Sequence, residues 1–208
     1  VACRGCELEF PVGAYPVYPG NRVMETTTGV GGNELTLTTA FGVNGLEVPV
    51  SGKVVIGEVF DRVDRPSAAV AAQKWAARGQ GVQAVADTDQ GGHVFGFRFV
   101  LAQGLRNMFA QDGYFNMTPY RVMENEWADF ARYGARVEAT IDLDAPVVGE
   151  RPETVTVDGK AYSARSNNLL EEVDLGHKFG NDSSQRYKRR YYKKQIVAVV
   201  AEAEAGER

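Results

Sequence analysis

The stretch from Arg22 to Thr39, Arg-Val-Met-Glu-Thr-Thr-Thr-Gly-Val-Gly-Gly-Asn-Glu-Leu-Thr-Leu-Thr-Thr, constrains the fold more than any other part of the chain. Its arms, Val23–Thr28 and Glu34–Thr39, are built mainly from Val, Leu and Thr, which suit a pleated, half-buried surface. Between them Gly29, Gly31, Gly32 and Asn33 supply the positive-φ positions that a tight hairpin loop demands. A β-hairpin is expected here, and most of the chain beyond Thr39 also has the pattern of strands.

Before the hairpin, residues 1–20 carry Pro11, Pro16 and Pro19 among Tyr15, Tyr18 and Phe10. Proline at that density fixes φ and removes donors, so an extended N-terminal arm is expected, lying on its own domain or on a neighbour. After the hairpin, Gly45–Pro49 and Lys53–Phe60 read as two strands parted by a Ser51-Gly52 turn. Pro66–Arg78, with Pro at its start, Ala throughout and Gly79 beyond its end, reads as a helix. Val82–Ala86 and His93–Leu101 read as strands around the polar turn Asp87–Gly92, with Phe95, Phe97 and Phe99 on one face. A second helix is expected from Thr118-Pro119 to about Tyr133, burying Met123, Trp127 and Phe130 and stopped by Gly134. Ala135–Leu143 alternates as a strand, and Thr154–Ser163 reads as a hairpin with Asp158-Gly159 at its tip. Leu169–Leu175 fits helix or strand equally, and Ile196–Val200 reads as a closing strand. The expected organisation is an arm over 1–20, one β-rich α+β domain over 21–201 and a polar tail over 202–208. The expected fold is α+β and mostly β, an antiparallel, sandwich-like sheet with two helices packed against it.

The hairpin also carries a resemblance. Arg22-Val23-Met24-Glu25-Thr26-Thr27-Thr28, a Gly-rich tip and then Leu35-Thr36-Leu37 resemble a segment of tailed-bacteriophage virion proteins. The resemblance covers 18 of the 208 residues and departs from that pattern after Ala40. It implies a virion location, synthesis in a host cytoplasm, and partners that are other copies of the chain and other virion proteins.

Chemical motifs are sparse. Cys3 and Cys6 have CxxC spacing, but tetrahedral zinc needs four ligands and the two histidines, His93 and His177, lie far apart in sequence. Two reduced thiols made in a reducing compartment are expected, and no metal site. Gly29–Gly32 lacks the Gly-Lys-Ser/Thr and helix of a phosphate-binding loop. The carboxylate pairs Asp87/Asp89, Glu124/Glu126 and Asp142/Asp144 have no companion His or Lys that would make them catalytic. No cofactor and no enzymatic activity are expected. No basic-then-apolar leader opens the chain, and no window approaches the ~18 apolar residues of a membrane span, so no membrane partner is expected.

The sharpest chemical feature is Arg186–Lys194, where six of nine residues are basic and three are tyrosines, in a chain of net charge −4. Such a pattern can grip phosphates and stack on bases, or it can blunt an edge strand and meet an acidic neighbour. A protein contact is favoured because the overall charge repels a polyanion. The expected contact residues are Arg186, Lys188, Arg189, Arg190, Tyr191, Lys193 and Lys194. The resulting expectation is a non-enzymatic assembly subunit of a tailed-phage virion, in its tail, head–tail joint or capsid exterior. A nucleic-acid-binding protein using the 186–194 segment is the alternative.

Overall fold

The computed structural model describes residues 23–42, 45–61, 63, 73, 76, 88–101, 104–147 and 150–205. The N-terminal arm, Cys3 and Cys6, the expected strand at 82–86 and all but Gln73 and Ala76 of the expected 66–78 helix lie outside those residues. Gln73 and Ala76 are helical.

The fold is α+β and mostly β. Six strands form one antiparallel sheet: β1 (Met24–Val30), β2 (Asn33–Phe41), β3 (Glu47–Ile56), β6 (Ala135–Asp144), β7 (Thr154–Ser163) and β8 (His177–Gly180), side by side in that order. Between β3 and β6 the chain leaves the sheet and forms a small second one from β4 (Asp89–His93) and β5 (Met108–Asp112). The same excursion contains a short helix α1 (Phe97–Val100) and the long helix α2 (Arg121–Arg132). A last helix, α3 (Lys193–Ala205), follows β8.

Alternation along the strands shows which face of the sheet is covered. Leu35, Leu37, Val54, Ile56, Val137, Ala139, Ile141, Val155, Val157 and Ala161 are all buried, whereas their neighbours Glu34, Lys53, Asp142, Asp158 and Lys160 are not. Side chains on a strand alternate between faces, so the helices and the small sheet cover one side, and among the described residues the other is polar and open. Met123, Trp127 and Phe130 of α2 enter this core fully buried, as their helical spacing predicts, and Gly134 ends the helix at φ +94°. Thr118-Pro119 does not cap α2. Helical structure begins at Gly113, capped by the Asp112 carboxylate accepting from Phe115 N at 3.0 Å, and Thr118-Pro119 sits in a π-helical turn, Asn116–Tyr120.

The hairpin forms as expected. Seven residue pairs run from Met24↔Thr39 to Val30↔Asn33 around the two-residue loop Gly31-Gly32, with Gly31 at φ +58°. Asn33 does more than turn the chain. It is buried, its amide donates to Glu58 O (2.9 Å) and Phe99 O (2.7 Å), and its carbonyl accepts from Gly57 N (2.7 Å) and Glu58 N (2.8 Å). The loop end of the hairpin is therefore pinned to the start of the excursion and to α1.

Several local expectations are corrected. Ser51-Gly52 is no turn: β3 runs through it, and the registers Thr38↔Ser51 and Thr39↔Pro49 leave Val50 as a bulge. Gly52 is there because the Phe95 ring lies on it; a Cβ would stand 2.7 Å from Phe95 Cε2. Asp158-Gly159 is likewise inside the continuous strand β7, where Leu175 packs on the glycine with its Cβ 2.9 Å from where a side chain would begin. The expected polar turn before His93 is largely β4, and the expected strand His93–Leu101 breaks after His93 into a bend and α1. Phe95, Phe97 and Phe99 are all buried, but not as one strand face. Leu169–Leu175 is irregular, with one bridge, Tyr162↔Leu169. Ile196–Val200 is helical, because Ile196 and Val200, four apart, both reach the core, and the helix continues through Glu202 to Ala205.

Candidate functional site

The basic-aromatic segment is neither a strand nor an edge. Residues 186–192 form an irregular connection between β8 and α3, and an acidic residue of α2 explains why. Glu126 falls on the apolar stripe of α2, between Met123 and Trp127, and is completely buried. A carboxylate there needs donors, and the segment supplies three: Arg190 N at 2.7 Å, Tyr191 N at 2.6 Å and the Tyr187 hydroxyl. One helical turn on, Asp129 accepts from Arg189. Burial and the adjoining Glu126 carboxylate push the Tyr187 phenol well up, so it stays a donor at neutral pH.

The tyrosines also face inward. Tyr191 packs edge-on against Phe130 with centroids 5.4 Å apart, donates to Glu172 O and accepts from Asp174 N, both at 3.1 Å. Arg190 donates to Tyr187 Oη (3.2 Å) and Gly176 O (3.3 Å), and its nearest carboxylate oxygen is on Asp174 at 3.5 Å. The His177 ring packs tilted against Phe179 and edge-on to Tyr187, with centroids 4.3 and 5.2 Å away. Burial first, then the Arg190 charge, lowers its pKa, while Asp174 opposes them. A recess of about 540 Å³ opens beside these groups, lined by His177, Tyr187, Lys188, Arg189 and Arg190.

The seven expected contact residues thus divide. Arg189, Arg190 and Tyr191 clasp the segment to α2 and to the loop before β8. Arg186, Lys188, Lys193 and Lys194 are exposed, with Arg186 over the Tyr114 ring (5.0 Å) and Lys193 over Tyr133 (5.2 Å).

The carboxylate pairs divide too. Glu124 and Glu126, two apart on a helix, face opposite ways: Glu124 accepts from Gly96 N at 2.8 Å while Glu126 holds the clasp. Asp89 is locked by Arg151 through bonds of 2.6 and 2.9 Å, and Asp87 is outside the described residues. Asp142 and Asp144 do share the open face of β6, both exposed. Among the described residues no three of His, Cys, Asp and Glu gather as metal ligands, and no helix is long and apolar enough to cross a membrane. A second recess, about 620 Å³, is lined in part by Gln90, His93, Tyr120, Arg121 and Glu124. Tyr120 donates to Val94 O at 2.6 Å and Glu124 holds Gly96, so both of these polar groups brace the bend between β4 and α1.

The second candidate surface is the hairpin that opens the fold. Among the described residues β1 is at one end of the sheet, and Glu25, Thr26, Thr27, Thr28 and Gly29 are all exposed. Thr26 and Thr28 pair with Leu37 and Leu35 and so lie on the covered face, yet the covering layer stops at β2. Natural edge strands are commonly guarded by Lys, Pro or a bulge. β1 has none of these and pairs in unbroken register with β2.

Comparison with models of known protein families gives no match, and a search of curated proteins gives none.

Proposed function

We propose that the chain is a non-enzymatic structural subunit that acts by assembling, of the tailed-phage virion kind that its Thr/Gly hairpin resembles. The observation that carries this reading is β1: among the described residues a seven-residue edge strand, exposed along both faces, without Lys, Pro or a bulge, and held in shape by Asn33 at its loop end. Backbone donors and acceptors on such an edge bind another strand by extending the sheet. The exposed cations Arg186, Lys188, Lys193 and Lys194 add a charged surface of the sign opposite to the chain's net charge of −4, which suits encounter with acidic protein neighbours.

Electron microscopy of the concentrated full chain tests the proposal. Ordered rings, tubes or sheets are expected, and dispersed single chains would contradict it. Titrating labelled single- and double-stranded DNA from low to moderate salt separates it from nucleic-acid binding. No association is expected at physiological salt, whereas micromolar binding with a steep salt slope would reverse the reading.

A further inference from the structure

We infer that β1 pairs antiparallel with β1 of a second copy, about a two-fold axis at Thr27, joining two six-stranded sheets into one. The inference rests on the assembly reading and specifies its surface, partner and register. A two-residue loop makes Val30–Asn33 a hydrogen-bonded pair, so pairing alternates along the hairpin and Glu25, Thr27 and Gly29 direct their N–H and C=O groups outward. An edge strand meeting its own copy antiparallel must match these outward residues with one another. The register that uses the whole strand sets Thr27 opposite Thr27 of the second copy, Glu25 opposite Gly29, Thr26 opposite Thr28, and Met24 opposite Val30.

Every pair in that register is compatible. The only charged residue of β1, Glu25, meets a glycine, so the two carboxylates are not opposed. Glu34, which pairs with Gly29 from the far side, is two strand spacings from the incoming Glu25, roughly 10 Å, where salt screens repulsion. Met24 and Val30, the half-buried ends of the strand, cover one another. Thr27 Oγ1 already bonds Thr36 Oγ1 at 2.9 Å, and the axis extends this into a row of four threonines across the joined sheets. The same patch serves both partners, the condition for a closed two-fold interface.

Two variants in a Cys3→Ser, Cys6→Ser background test the register. Thr27→Cys is expected to oxidise to a crosslinked dimer, because opposed Cα atoms about 5.5 Å apart suit a disulfide, while Glu25→Cys stays uncrosslinked. Thr27→Pro removes an outward N–H and one exposed hydroxyl bond to Thr36 but no bond of the β1–β2 ladder, so its thermal midpoint should stay near that of the parent while the β1-mediated dimer is lost. Self-association that survives Thr27→Pro, or equal crosslinking at both positions, would overturn the β1 interface and leave assembly through another surface. A chain that stays monomeric at submillimolar concentration would overturn both.

Discussion

Glu126 shows how one residue can organise a surface. On the apolar stripe of α2 it would be an error in packing, were it not for Tyr187 and the two backbone N–H groups that answer it. Glu126→Ala leaves those donors without their acceptor, and a loss of about 2–3 kcal/mol is expected in urea unfolding, with Glu126→Gln losing less. His177 gives the site a pH dependence whose sign is definite. In the unfolded chain it titrates near the ordinary histidine value of ~6.5, and the folded chain holds it lower, so below that value the unfolded chain takes the proton first. Stability should therefore fall as the pH drops from neutral through that value, and His177→Gln should flatten this part of the profile; an unchanged slope would count against the burial and Arg190 effects. In the sequence Glu126 reads only as half of a carboxylate pair, although its phase on the helix, close to that of Met123 and Trp127, is the signal of its burial. Its partners were not legible, because they lie some 60 residues away.

At the scale of elements, glycines inside strands carry the most information. Gly52→Ala and Gly159→Ala should each cost about 1–3 kcal/mol, through Phe95 and Leu175 respectively, measured by thermal or urea unfolding. A silent Gly159→Ala would contradict the close Leu175 contact. Ser51-Gly52 and Asp158-Gly159 have turn composition, and what keeps them in strands is a ring and a leucine from distant segments. Residue pattern cannot supply that. The β1–β2 hairpin, β6 and α2 were readable because each is specified locally, by turn glycines, by alternation and by helical spacing. Ile196–Val200 misleads for the opposite reason: its β-branched run suggests a strand, and the burial of two residues one helical turn apart makes it a helix. The basic segment was visible from composition, but its division into an inward clasp and an outward cationic set was not. Lys188→Ser with Lys194→Ser should therefore leave the thermal midpoint unchanged while weakening assembly. A variant that includes Arg190 would confound the two effects.

Among the described residues the molecule is a sheet covered on one face, with its polar face and β1 edge open. Its exposed cations Arg186, Lys188, Lys193 and Lys194 belong to a chain of net charge −4, which suits contacts between copies. Sedimentation equilibrium of the intact chain over a concentration series measures self-assembly without a label or a variant. A mass that rises from 22.7 kDa toward an integral multiple of it as concentration increases is expected. A mass that stays at that of one chain up to the highest soluble concentration would contradict self-assembly.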